Sequence, residues 1–193
     1  MGGQRMKGVA LFVSLILLLM LTIIGVSAVR TSTLEMRMVR NSHDAMLAFQ
    51  AAEAGLREAE ASLVGLDSLA DFGEQGEAGR WAVAPLGEAD RWTLPGVWAE
   101  GSRQSVAATG TGGGSSRYMI EHLTTLDVTE PTESAEPGIA VFRITARASG
   151  VGGLAVTMLQ STYAVSLAGS AEASAQPQPK LGRWSWQELL ASY

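Results

Sequence analysis

No cysteine occurs in the 193 residues, so neither a disulfide framework nor a thiolate metal site is available, and any folded part must stand on its core alone. Histidine is nearly as scarce. His43 and His122 have no His or Cys partner at ligand spacing and read as surface or partly packed residues. Proline is missing before Pro85, which leaves the N-terminal third without the usual helix breaker. Positive charge is in deficit too: the formal net charge is −5, and losing Arg5 and Lys7 with a leader would make it more negative still. That balance argues against nucleic acid as a partner. No serine sits in a nucleophile elbow, and the glycines of ATGTGGGSSR (108–117) do not fit a phosphate-binding fingerprint. The acids of LDVTEPTESAEP (126–137) lack EF-hand spacing and read as a solvated acidic turn. The expectation is a protein without catalytic site, cofactor or metal.

What is present begins with KGVALFVSLILLLMLTIIGVSAVR (7–30), an apolar run with no charge between its flanking lysine and arginine. As a helix, Gly8 to Val29 would be roughly 33 Å long at 1.5 Å per residue, enough to cross a hydrocarbon core. Val26, Ser27 and Ala28 also fit a signal-peptide cleavage pattern, but the stretch is longer than the usual apolar region of such a peptide. The helical pattern continues beyond it. Leu34, Met38, Ala45, Phe49, Ala52, Leu56, Ala59, Leu63 and Leu66 step by three, four or seven, while Glu35, Arg37, Asp44, Glu53, Arg57, Glu58 and Glu60 mark the opposite face. Residues 9–66 therefore read as a long helix, apolar all round in 9–29 and amphipathic in 30–66, with Phe49, Ala52, Leu56, Ala59 and Leu63 as its packing stripe.

Gly, Trp and Pro crowd residues 67–116, which read as a large connecting region; RWTLPGVW (91–98) offers a short strand. Three strands follow in RYMIEHLTTL, IAVFRITARAS and LAVTMLQSTYAV. Phe142, Ile144, Ala146 and Ala148 alternate with Arg143, Thr145 and Arg147, and GVGG (150–153) joins the last two strands as an antiparallel hairpin. The apolar face of this sheet supplies the cover that the helix stripe needs. GRWSWQELLASY (182–193), beyond an Ala/Ser/Gln/Pro linker, reads either as a docking segment or as a strand or short helix tucked against its own domain.

A basic residue and Gly8, an adjoining apolar helix, a long amphipathic extension and then an antiparallel sheet resemble the type IV pilin architecture and its processing site. Residues 7–61, with the Gly-Val-Ala-Leu start, RTSTLEMRM and AFQAAEAGLREAE, look like the N-terminal region of PilX-type minor pilins, and the hairpin at 142–165 is similar to the family's C-terminal part. The resemblance implies an α+β pilin-like fold: leader 1–8, transmembrane half-helix 9–29, amphipathic half-helix 30–66, periplasmic head 67–168, linker and tail 169–193. It also implies cleavage by a prepilin peptidase between Gly8 and Val9 and N-methylation of Val9. Val13 departs from the pattern, since most pilins carry glutamate at that position. A subunit with no neighbour to receive a buried carboxylate can do without one.

The expected function is a non-enzymatic minor pilin, anchored in the inner membrane before assembly. It would join other minor pilins and the assembly machinery in a tip-located priming complex able to present an adhesin. Two alternatives stay open: a type II secretion minor pseudopilin, which shares the helix, and a secreted or membrane-anchored ligand-binding domain.

Overall fold

Alternating side chains in the C-terminal half build the long strands of a six-stranded mixed sheet, and the uninterrupted helical pattern of the N-terminal part builds one helix, α1 (Gly3–Ser62). The computed structural model describes residues 3–66, 68–109, 114–126, 138–167 and 181–189. The remainder of the acidic stretch after Leu126, the linker at 168–180 and the last residues from 190 onward lie outside them. Two compact units divide the chain after His43, so that α1 belongs to the first up to that residue and to the second from Asp44.

Leu, Ala, Met, Glu and Arg dominate α1 and favour its extension. It ends where the Leu63 and Val64 N–H groups donate to the carbonyls three residues back and Gly65 takes a left-handed φ of 78°. Glycine at that place carries no Cβ penalty.

The strands are β1 (Arg80–Ala82), β2 (Val106–Ala107), β3 (Ser115–Leu126), β4 (Ile139–Ser149), β5 (Val156–Ser166) and β6 (Gly182–Leu189). Their order is β1-β3-β4-β5-β6, with β2 also on β3. β1 runs parallel to β3 opposite Ile120–His122, and β2 antiparallel opposite Arg117 and Tyr118, so the two share one edge of β3. The β3–β4 ladder slips between His122 and Thr124, a bulge that bends the strand. The β4–β5 turn closes with the Gly150 N–H on the Ala155 carbonyl and the Gly153 N–H on the Gly150 carbonyl, both at 3.0 Å.

One face of the sheet packs on the second unit's part of α1. Ala51, Ala52, Leu56, Ala59 and Leu63 meet Tyr118, Ile120, Phe142, Ile144, Ala146 and Leu159, all buried. Gly55 allows the close approach, because a Cβ there would stand 2.5 Å from the Ser116 hydroxyl and 3.5 Å from the Ala146 Cβ. Burial of this strip begins at Ala48 rather than earlier in the helix: Ala45 is exposed, and Phe49 stands beside the strip at 37% exposure.

The other face is covered near β3 by residues from the connecting region. Trp81, Val97 and Met119 form a second buried cluster, flanked by Trp92, Leu94 and Trp98. Trp81 donates to the Gln104 carbonyl (2.9 Å), and the Arg91 guanidinium lies over its ring. Gly76, at φ 65°, leaves the space that the Trp81 ring fills. The short strand expected in 91–98 is not formed. Arg91–Thr93 makes a single 3-10 turn, and the Val97 N–H then reaches the Leu94 carbonyl at 3.4 Å. Pro95 and Gly96 (φ 81°) occupy the central places that a type II turn favours, and proline has no N–H to give a ladder.

Candidate functional site

Within the first unit α1 presents large apolar side chains on every side. Leu11, Phe12, Leu15, Leu17, Leu18, Leu19, Leu21, Ile23 and Ile24 are all exposed, and this helix is long and apolar enough to cross a membrane. Four of its hydroxyls bond back to the helix itself. The Ser14 hydroxyl donates to the Leu11 carbonyl (2.8 Å), Thr22 to Leu19 (2.7 Å), Thr31 to Ser27 (3.1 Å) and Thr33 to Val29 (2.9 Å). Such back-bonding satisfies hydroxyls where no water is at hand. Gly8 and Val9 lie on this helix, as does Val13, whose side chain is 48% exposed.

In the second unit the same helix becomes a holder of the sheet. Ala52, Leu56, Ala59 and Leu63 of the expected stripe are fully buried. Several acids placed by the sequence pattern on the opposite face instead grip the sheet and its loops. Asp44 accepts the Gly152 N–H (2.7 Å) and the Ala155 N–H (3.2 Å), fastening the β4–β5 turn, and a Cβ on Gly150 would collide with it. Glu58 accepts both the N–H and the hydroxyl of Thr109, at 2.7 and 2.8 Å. Glu60 accepts Arg183 Nε (2.7 Å) and the Ser161 hydroxyl (3.2 Å), while Glu53 faces both Arg183 (3.6 Å) and Arg57 (3.8 Å). Burial opposes the Arg183 charge, but the hydrogen bond and charge of Glu60, then Glu53, outweigh it and raise its pKa.

The tail read two ways from sequence is a strand in its described part. β6 pairs antiparallel with β5, and Trp186 meets Phe49 edge to face at 6.0 Å. Sequence reasoning missed Arg183 as an anchor. Its signal was a lone arginine in a segment able to pair with a helix rich in acids, and the partner was decided only by the register of β6.

His122 packs against the Phe72 and Phe142 rings, which also meet each other, and it meets the Thr125 hydroxyl at 3.0 Å. Burial lowers its pKa from 6.5, and a backbone hydrogen bond at Thr124 works the other way. His43 is exposed. An open cleft of about 1000 Å³ beside the end of α1 is lined by Asp71, Glu74, Glu77, Arg80 and Tyr118, but Arg80 and Asp71 already pair across it at 2.7 Å. Among the described residues no group of three or more His, Asp or Glu side chains could hold a metal.

The helix and sheet can be set beside known families. Residues 7–57 match the family described as PilX N-terminal, and residues 38–165 match the one described as type IV pilus assembly protein PilX C-term. The chain belongs to the PilX family of type IV pilus assembly proteins. No curated protein and no solved structure matches it. The PilX matches together run from the start of the apolar helix to β5 and stop before β6.

Proposed function

We propose that this PilX-family protein is a minor pilin that works by assembly: residues 9–29 hold it in the inner membrane with its head in the periplasm, then leave the bilayer to pack among the helices of neighbouring subunits. The observation that supports this most is the division of labour along α1. One stretch is apolar on all sides and carries no charge from Gly8 to Val29, and a later one, from Ala48 to Leu63, buries one face in the head. A helix of the first kind needs lipid or other helices around it, and neighbouring subunits replace lipid without loss.

On this reading Gly8 ends the leader, a prepilin peptidase cuts before Val9, and Val9 becomes the methylated terminus. Val13 lacks the carboxylate that would require a neighbour's amine in a low-dielectric bundle, which suits a subunit at the filament tip, where it primes assembly with other minor pilins and presents an adhesin. Mass spectrometry of the protein from cells making the pilus apparatus tests the processing. A mature chain beginning with methylated Val9, and full-length precursor retained in the membrane for Gly8→Trp, are expected. A chain beginning at Val29 would replace this reading with a cleaved signal peptide and a secreted domain.

A further inference from the structure

Eight arginines lie in the second unit, and Arg57, Arg80, Arg91, Arg143 and Arg183 each pair with a carboxylate. The other three gather in one place. Arg117 and Arg147 stand directly opposite each other on β3 and β4, so their side chains leave the same face of the sheet, the one turned away from α1. Arg103 and Arg117 line one cleft of about 490 Å³. The Arg117 guanidinium holds the loop before β2 through the Ser105 hydroxyl (2.8 Å) and the Ser102 and Ser105 carbonyls, none of which carries a charge. Arg103 is exposed and Arg147 half-buried, and neither has an acid partner among the described residues. Glu77 also lines the cleft but pairs with neither Arg103 nor Arg117.

Like charges directly opposite on neighbouring strands destabilise a sheet. This pair stands in a unit whose acids outnumber its Lys and Arg by 18 to 9. Such surroundings repel an extended polyanion, whether nucleic acid or an anionic bilayer. They admit a short segment with a few carboxylates, which the planar guanidinium binds through two parallel hydrogen bonds. The chain carries such a segment itself: residues 127–137 include Asp127, Glu130, Glu133 and Glu136 and no base. It is tethered at the far end of the same two strands, where Leu126 pairs with Ile139. Arg117 lies nine residues from Leu126, which at about 3.3 Å per residue is roughly 30 Å. Asp127, Glu130 and Glu136 are at most four residues from an anchor, a reach of roughly 15 Å. A chain cannot lay this segment as a whole on its own arginines.

We propose that Arg103, Arg117 and Arg147 form an acceptor site whose occupant is the acidic segment 127–137 of a second copy of this chain. Opposite charges at the two ends of one β3–β4 hairpin make this a head-to-tail contact, which repeats from copy to copy. Exposed ion pairs contribute little singly, so the contact forms where copies are concentrated in one membrane and weakens as salt rises. The inference rests on the head alone and does not require the pilus reading.

Arg147→Lys keeps the charge and places an amine in the site, in a chain whose native lysines are Lys7 and Lys180 alone. Full-length chains carrying it are co-expressed with differently tagged native chains, kept in their membranes and treated with a carbodiimide, which joins an amine to a touching carboxylate as an amide. Mass spectrometry identifies the linked peptides. The expected product joins position 147 of one tag to Glu130, Glu133 or Glu136 of the other, at least fivefold above any link from Lys180 to that segment. It should fall by a similar factor when the native partner is replaced by one carrying Glu130→Gln, Glu133→Gln and Glu136→Gln. Links confined to one tag, or running from position 147 only to acids outside 127–137, overturn the proposal. The second measurement needs no coupling: a fluorescent peptide of residues 126–137 is titrated with the full chain in detergent and its anisotropy followed. Arg147→Glu should weaken peptide binding at least tenfold while the head stays folded by tryptophan emission. Equal binding to the two chains, or none, overturns the site. Peptide binding without links between the tags overturns the second copy as its occupant.

Discussion

The two stretches of α1 share one backbone and treat their side chains in opposite ways. In the first unit Leu11 is 72% exposed and Leu18 64%, whereas in the second Leu56 and Leu63 are fully buried. Both stretches carry leucine, so its presence alone does not separate them. What differs is the company: large apolar residues on all sides up to Val29, against Ala48, Ala51, Ala52, Gly55 and Ala59, whose small size lets a sheet come close. Acids differ in the same way. Glu35 is exposed on its helix, while Asp44, Glu58 and Glu60 close on backbone N–H groups, hydroxyls and a guanidinium of the head. A helix can thus be an apolar rod and a polar clasp in succession, provided that its small residues and gripping acids fall where the sheet is.

The strongest way to break this comparison is one substitution made in both stretches. Leu56→Asp sets an unpaired carboxylate into the core and should destabilise the head by about 3–5 kcal/mol. Leu18→Asp should leave head stability unchanged and weaken retention in the membrane. Every tryptophan lies in the second unit, so tryptophan emission during denaturant titration of the full chain in detergent reports head unfolding alone. Equal effects of the two changes would erase the distinction.

A smaller contrast concerns the acids. Glu60→Ala removes the acceptor of Arg183 and of the Ser161 hydroxyl and should cost about 1–3 kcal/mol, the range for leaving a buried hydrogen-bonding group without its partner. Glu35→Ala should stay within about 0.5 kcal/mol, as exposed substitutions do. The same titration compares them, and hydrogen exchange on β6 should quicken only for the first.

The smallest effect separates the head by its pH response. His122 has its pKa lowered by burial, so the unfolded chain binds a proton more readily than the folded one. Stability from neutral His122 is therefore complete above its ordinary 6.5 and is lost as the pH falls through the lower folded value. The unfolding midpoint should drop between pH 7 and pH 5 more steeply in the native chain than in His122→Phe; parallel slopes would show that His122 contributes nothing to the pH response.

Elements whose pattern is local are legible in the sequence alone. The apolar helix, its amphipathic continuation and the alternation of β3, β4 and β5 follow from neighbours within a few residues, since periods of 3.6 and 2 decide which side chains share a face. Features that depend on distant partners are not. Asp44 and Glu60 look like solvated acids until the β4–β5 turn and β6 arrive opposite them. Trp81 finds its place only because Gly76, Arg91 and Gln104 surround it. RWTLPGVW has the aromatic and apolar content of a strand, but Pro95 and Gly96 turn it. Phe49 follows the periodic stripe yet stands at its margin, because alanines at 48, 51 and 52 take the positions nearest the sheet.

The central claim is that the two stretches of α1 serve different surroundings, lipid or neighbouring helices for the first and the chain's own sheet for the second. Single cysteines introduced as Leu18→Cys and Leu56→Cys in an otherwise cysteine-free chain test it in native membrane vesicles, with a charged, membrane-impermeant maleimide and a small lipid-soluble one. The account predicts that position 18 reacts with the lipid-soluble reagent alone, and that position 56 resists both until urea unfolds the head. Labelling of position 18 by the charged reagent in intact vesicles, or reaction of position 56 before unfolding, would contradict it.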